Sequence, residues 1–493
     1  MMDLTIGEIA AACGGKLVLQ GADTTDACIS SLEIDSRKVA EKGAFLATTG
    51  ERVDGHTFIS SVFEKGAALA VTRKTPKQVE RETGISQEKW GSYLLVEDTL
   101  QALKDIAEYY RMKLSIPVVG ITGSVGKTST KEFIAGVLSE KYHVLKTDGN
   151  YNNEIGVPLT LLRIRREHTA AVVEMGISDF GEMRRLSKMA RPDICVITNI
   201  GQSHLENLKT RDGILKAKSE IFEYMAEDGQ VCLYGGDDKL SAIAEVKGRK
   251  PHFFGWGDNP LEEVAAGDVV SRGLWGSDAV LTIRREDACC AAAPGGKPDA
   301  ASVEQVGIHV PLPGRHMVLN GAAAACVAGL LGLSPEQIAS GIRKIKPVSG
   351  RNHLICLKEY TLIDDCYNAN PASMKAAVDL LSMADTEKVA ILGDMFELGE
   401  NSHILHEETG AYAGEAGIDR LYFVGQEAAY MYQAACSSLG RKDSQATYFP
   451  TKEDLLQAFG QDLDRFVPKG STVLVKASHG MEFGQIVDFF NNI

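Results

Sequence analysis

Along this chain, short apolar runs that stop at a polar residue alternate with stretches whose apolar positions recur every three or four residues. "PVVGIT" (117–122), "AAVVEMG" (170–176) and "DICVITNIG" (193–201) are runs of the first kind, the pattern of strands buried on both faces of a parallel sheet. Phe133, Ile134, Val137 and Leu138 fall at i, i+1, i+4 and i+5, which predicts a helix with one apolar face directly after the first run. Upstream, "AFLATTG" (44–50), "ALAVTR" (68–73) and "SYLLVED" (92–98) predict strands, and "HTFISSVFEKG" (56–66) predicts a helix closed by Gly66. Beyond about residue 255 the alternation fades into a polar, glycine-rich region that includes a predicted surface loop, "AAAPGGKPDAAS" (291–302). A helix pattern returns at "LNGAAAACVAGLLG" (319–332). After "KPVSGR" (346–351), the runs "YTLIDD" (360–365), "KVAILGD" (388–394), "RLYFVG" (420–425) and "STVLVKAS" (471–478) predict further strands between helices.

The fold class is therefore α/β, with a doubly wound parallel sheet from Pro117 onward. A length of 493 residues, at about 150 per domain, predicts three domains. Hydrophobic residues make up 44% and charged residues 24%, a globular balance that excludes a disordered chain. The start, "MMDLTIGEIAAACGG", carries Asp3 and Glu8 where a signal peptide needs positive charge and an unbroken apolar core. No apolar stretch approaches membrane-spanning length, so no membrane association is expected. Ten cysteines, of which only Cys289 and Cys290 are close together, show no C-x-x-C spacing and predict a reduced, cytoplasmic protein. A net charge of −14 argues against a nucleic-acid partner and leaves room for a local basic pocket that takes an anionic small molecule.

The candidate chemistry starts at "GITGSVGKTSTKE" (120–132). The common phosphate-loop spacing G-x-x-x-x-G-K-[ST] would need a glycine where this chain has Ile121. The order of elements is nevertheless that of a phosphate site, a strand feeding a glycine-rich turn that opens a helix. Amides of Gly123, Ser124, Val125 and Gly126 would converge on phosphate oxygens, Lys127 would supply charge, and Thr128 or Ser129 a hydroxyl for magnesium. A glycine-rich turn with a chance G-K-T is the other reading. Glu174 ends one apolar strand, and Asn199 ends another, with His204 following in "NIGQSHLE". Ligands in open α/β sheets gather at such carboxyl ends, although each residue alone reads equally as a solvated or capping group.

Taken together, "GITGSVGKTSTKE", "TDGNYNNEIGVPLTLL" (147–162), "VVEMGISDFGEM" (172–183), "TNIGQSHLENL" (198–208), "AKSEIF" (217–222), "DDCYNANPASMKAA" (364–377) and "LGDMFELG" (392–399) resemble the Mur ligases. Within that family they are most similar to the dipeptide-adding MurF type. "DSRKVAEKGAFLATTGERVDGHTFI" (35–59) extends the resemblance to nearly the whole chain. The family's loop has the form G-x-x-G-x-x-G-K-T, in which Ile121 is expected.

The resemblance implies a small α/β UDP-sugar-binding domain (1–112), a central P-loop ATPase-like doubly wound domain (113–348) and a C-terminal Rossmann-like domain (349–493) that binds the incoming dipeptide and part of ATP. It implies joining of D-alanyl-D-alanine to UDP-N-acetylmuramoyl-tripeptide, with ATP and Mg2+, through an acyl phosphate, by a monomer. The alternatives are another ligase of the superfamily, of the MurE or folylpolyglutamate synthase type, and a non-catalytic nucleotide-binding regulator.

Carried over residue by residue, the resemblance gives Lys127 to the ATP phosphates, Thr128 and Glu174 to one magnesium and His204 to a second. Lys218 matches a lysine that family members carry as a carbamate; read without the resemblance, it is an exposed helix lysine. Asn320 would contact the nucleotide base, or cap a helix, and Arg351 and Asp365 would reach ATP, or be a surface arginine and a strand-end acid. Asn152 and Asn153 fall in the substrate-binding motif. Ser36, Arg37, Asp54, Gly55 and His56 match UDP-sugar motifs and read equally as a turn with a capped helix. Three departures stand out: Met317 where asparagine is frequent, Cys366 where serine is usual, and His479 where arginine is common.

Overall fold

The computed structural model describes residues 4–50, 53–84, 89–201, 203–285, 302–439 and 445–493. The loop predicted at 291–302 lies outside them except for Ser302, as do Cys289 and Cys290. The chain packs as two compact units: Met1–Thr122, Lys141–Val196 and Lys218–Val231 form the first, and Gly123–Glu140, Ile197–Ala217 and Cys232–Ile493 the second.

The first unit opens with a five-stranded sheet in the order Lys16–Val18, Tyr93–Leu95, Leu69–Thr72, Ala44–Leu46, Leu32–Glu33. The first pair is antiparallel and the others parallel. Phe45, Ile59, Val62, Val79 and Trp90 form a core on it, and the three strands read from the sequence are all present. The helix predicted at 56–66 begins instead as a 3-10 turn, Gly55–Phe58, before the α-helix Ile59–Glu64. The Asp54 side chain accepts the His56 amide, only two residues on, and this tightens the first turn.

The same unit holds the parallel strands Val144–Lys146, Ala170–Glu174 and Val118–Thr122, adjacent in that order. Ile121 pairs with Glu174, so that carboxylate ends its strand level with the point where the neighbouring chain turns into its glycine-rich loop. The start of Val118–Thr122 is anchored by Asp193, which accepts the Val118 amide at 2.7 Å and a guanidinium bond from buried Arg111 at 2.8 Å.

In the second unit the helix Lys127–Leu138 buries Phe133, Ile134, Val137 and Leu138, the face that the sequence spacing predicts. It packs with the alanine-rich helix His316–Leu330 and with Pro335–Arg343. Strands Gln230–Tyr234, His252–Gly255 and Glu262–Ser271 run parallel. Glu262–Ser271, Ser277–Arg285 and Ser302–Val310 then form an antiparallel meander. This corrects the reading of a fading, polar region after residue 255. Leu281 and Ile283 are buried while Thr282 between them and Arg284 after them are not, and such a half-exposed ribbon carries a diluted apolar signal.

The last sheet runs His353–Cys356, Thr361–Asp364, Thr472–Lys476, Lys388–Gly393, Arg420–Val424, Ala446–Phe449, parallel but for its first pair. Alternate residues feed two cores: Ile363, Leu392 and Phe423 pack on one side, and Leu362, Ile391 and Tyr422 on the other. That double burial explains the continuous apolar runs. Among the described residues, no helix is long and apolar enough to cross a membrane.

Candidate active site

The glycine-rich loop is fixed by its own glycines and by the segment Thr198–Asn199. Gly123 has φ 150°, and a Cβ there would stand 1.9 Å from Thr198 Oγ1. That hydroxyl donates to the Val125 carbonyl at 2.6 Å, and the Asn199 side chain both accepts the Val125 amide and donates to its carbonyl, each at 2.9 Å. Gly126, at φ 84°, caps the helix Lys127–Leu138, so the amides at the positive end of that helix belong to the loop. Lys127 Nζ donates to the Gly123 carbonyl at 2.9 Å, which lays the ammonium across the loop.

Two cavities of the second unit meet at this loop. The smaller, about 70 Å³, is lined by Ser124, Val125, Gly126, Lys127, Thr128 and Ser129 with Arg351, Asn368, Asn370 and Ser373. The larger, about 330 Å³, shares Val125, Gly126, Ser129, Arg351 and Ser373 and adds Asn320, Asp365, Tyr234, Phe254 and Lys476 among others. A cradle of amides and hydroxyls beside a mostly apolar cavity is what a nucleotide needs for its phosphates and its base. Asn320 accepts from Thr130 Oγ1 at 2.8 Å, which directs its amide nitrogen to Met317 Sδ, 3.4 Å away. The Arg351 guanidinium stacks on Tyr367 at 4.0 Å. Asp365 accepts from Lys476 Nζ at 2.5 Å, with both side chains buried, and from the Asn352 amide at 3.1 Å.

Glu174 is buried and accepts from Asn152 Nδ2 at 2.9 Å, while the Thr147 hydroxyl accepts the Glu174 amide at 3.0 Å. Asn152 thus braces a carboxylate, and Asn153 caps the helix Gly156–Leu161 by accepting the Ile155 and Gly156 amides. Lys218 is 0% exposed, so the reading of an exposed helix lysine does not hold. His204 Nδ1 lies 2.9 Å from Glu397 Oε2. That hydrogen bond, against the cost of burial and with help from the charge of Lys127, holds the Glu397 carboxyl below the usual range.

The first unit has a separate open cavity of about 880 Å³, lined by Ser36, Arg37, Gly55, Asp148, Tyr151 and Arg163 among others. Asp54 and His56 stand behind its wall. Asp54 accepts from His56 Nδ1 at 2.5 Å and from Lys74 at 2.9 Å, and buried His56 accepts the Arg73 amide on Nε2 at 3.3 Å. Despite the cost of partial burial, these donors hold the Asp54 carboxyl well below its usual range.

Three family descriptions cover the chain: the Mur ligase family, catalytic domain, over residues 28–111; the Mur ligase middle domain over 121–328; and the Mur ligase, glutamate ligase domain over 350–479. The UDP-N-acetylmuramoyl-tripeptide–D-alanyl-D-alanine ligase of Bacillus subtilis (strain 168) is 35% identical over 99% of this chain and 98% of its own. The chain belongs to the Mur ligase family. A crystal structure of MurF from Acinetobacter baumannii superposes with a TM-score of 0.81, at 30% identity and 99% coverage of both chains. MurF ligase from Thermotoga maritima, solved in complex with ADP, superposes with 0.74 at 28% identity, covering 94% of this chain and 97% of that one. The three-domain α/β fold of Mur ligases is thus the fold of this chain, and, as in that family, the chain is an ATP-dependent, ADP-forming ligase.

Against the Mur ligase pattern, the three departures are accommodated locally. Met317 is buried and offers its sulfur to Asn320. The Cys366 thiol donates to Asp364 Oδ1 at 2.9 Å, as a hydroxyl would, and burial with that bond pushes its pKa far up. His479 packs its ring on Tyr367 at 5.3 Å, beside the stacked Arg351. Lys476, Tyr234 and Phe254 were missed from the sequence. The one available signal was a lysine closing the apolar run "TVLVK", where Asp364 and Gly393 close the neighbouring strands.

Proposed function

We propose that the chain joins D-alanyl-D-alanine to UDP-N-acetylmuramoyl-tripeptide in the cytoplasmic assembly of peptidoglycan precursors, acting as a monomer. The observation that carries the reading is the pair of adjoining cavities, in which the loop Ser124–Ser129 meets Asn320, Arg351 and Asp365. The similarity over almost the full chain to ligases named for this reaction supports the choice of substrates. The tripeptide carboxylate takes the γ-phosphoryl group of ATP to give an acyl phosphate and ADP. The dipeptide amine, having lost a proton, attacks the carbonyl carbon, and the C–O bond to phosphate breaks as the amide forms. No side-chain nucleophile is required. Loop amides and Lys127 spread the charge of the transferring group and hold it in line.

Thr128, Glu174, His204 and a carbamate on Lys218 are the proposed magnesium ligands. A hydroxyl and two carboxylate-like groups are hard oxygen donors that suit this ion. Among the described residues no three His, Cys, Asp or Glu side chains cluster as a ready-made metal cage. When bound, magnesium supplies neutralisation of phosphate charge. The carbamate forms when the buried Lys218 amine, having first given up its ammonium proton, adds through nitrogen to carbon dioxide and releases a second proton, so that a cationic side chain becomes an anion. Ser36, Arg37 and Gly55 face the UDP-sugar, with Asp54 and His56 holding the wall; Asn152 and Asn153 shape the substrate side through Glu174 and the helix they border. The proposed domain limits are 1–112, 113–348 and 349–493.

The test is to incubate the protein with ATP, magnesium, D-alanyl-D-alanine and a UDP-muramoyl tripeptide ending in lysine or in diaminopimelate, and to look for the pentapeptide by mass spectrometry. Phosphate release that needs both substrates is the expected result; release with neither, or none, refutes it. Lys218→Ala is expected to abolish ligation while ADP still binds, and near-normal turnover would remove the carbamate.

A further inference from the structure

The segment "LGDMFELG" stands out in the sequence, yet the reaction as described gives no work to its Glu397. Glu397 follows the strand Lys388–Gly393, and His204 follows Ile194–Ile197. Both residues adopt left-handed backbone, φ 63° and 53°, a conformation that non-glycine residues hold at some cost and that concentrates at functional sites. The turns that carry them lie close together: a Cβ on Gly399 would stand 3.8 Å from Glu206 Cα. Across this approach Glu397 Oε2 meets His204 Nδ1 at 2.9 Å.

An imidazole that gives its Nδ1 proton to a carboxylate is fixed in tautomer and in ring orientation, and its Nε2 lone pair is then the one available for bonding. We propose that Glu397 is a positioning residue: by accepting the His204 Nδ1 proton it aims Nε2 at the magnesium of the nucleotide complex. The inference rests on the proposed function for what Nε2 meets.

Two measurements test it on the full-length protein: Mn2+ binding with ADP present, followed by electron paramagnetic resonance, and kcat and KM for ligation. The variants are Glu397→Ala, Glu397→Gln, His204→Ala and the His204→Ala/Glu397→Ala double. Glu397→Ala is expected to weaken Mn2+ binding and to lower kcat, each by about 10- to 100-fold, with KM for the dipeptide within about twofold. Glu397→Gln, whose amide oxygen still accepts the Nδ1 proton, recovers most of both. In the double variant the loss equals that of His204→Ala alone, because a residue acting through another falls silent once the other is gone. Unchanged Mn2+ binding in Glu397→Ala, an undiminished cost in the His204→Ala background, or a loss confined to dipeptide KM overturns the proposal. If the wild type makes no pentapeptide, the proposed function fails, and the Mn2+ comparison still decides the role of Glu397.

Discussion

In the second unit Asp365 and Lys476 meet at 2.5 Å with almost no exposure, whereas in the first Arg37 and Asp35 meet at 2.8 Å with the arginine side chain 86% exposed. Both pairs border a cavity. The buried pair is costly to separate, because either partner alone would be an uncompensated charge out of water. The exposed pair is screened and can trade its carboxylate for another anion at little cost. One cavity is preorganised around a fixed charge arrangement; the other is open, and its arginines are only provisionally engaged, as a site for a large diphosphate sugar can be.

The sharpest way to break this contrast is at the loop. Lys127→Ala removes the only side-chain charge that the loop Gly123–Ser129 carries, and kcat is expected to fall about 10³-fold with the denaturation midpoint unchanged; a loss below tenfold would mean that preorganised amides suffice. Next, Asp365→Ala strands Lys476 and is expected to cost about 3–5 kcal/mol in urea unfolding, part of which returns in Asp365→Leu/Lys476→Met. On the open side, Arg37→Ala is expected to raise KM for the UDP-sugar substrate about tenfold, the worth of one charged hydrogen bond, without moving the thermal midpoint. An effect on stability there would erase the distinction.

The smallest effect is a pH dependence. His406 is buried and neutral, accepting the Met395 amide on Nε2 at 2.9 Å and donating from Nδ1 to the Ser402 carbonyl at 2.8 Å, and burial holds its pKa below the usual value. The unfolded ring titrates near 6.5, so as pH falls the unfolded state takes up the proton first. The stabilisation is whole above about pH 6.5 and is lost progressively on acidification. Thermal melts from pH 7 to 5 are expected to fall more steeply for the wild type than for His406→Gln.

How much of this was legible depended on range. The loop could be read because strand, glycines and helix are contiguous, and the strand-end acid Asp365 and hinge arginine Arg351 do line the cavity the loop opens on. Lys218 could not be read from its helix, since its charged neighbours give the pattern of a solvated face while the lysine itself is fully buried. Nor could Asp54 and His56 be told from cavity-lining residues, because their partners, Lys74 on Asp54 and the Arg73 amide on His56, are well separated from them in the sequence. The meander of Glu262–Ser271, Ser277–Arg285 and Ser302–Val310 escaped because one face of a ribbon left to water dilutes the apolar alternation.

The crowding at Gly123 bears on inhibition. Any side chain at that position is refused twice, by the backbone conformation and by the Thr198 hydroxyl 1.9 Å from where a Cβ would sit. A compound that draws its grip from the main chain there would rest on a surface that point substitution cannot rework, so resistance arising at that residue would forfeit the loop itself.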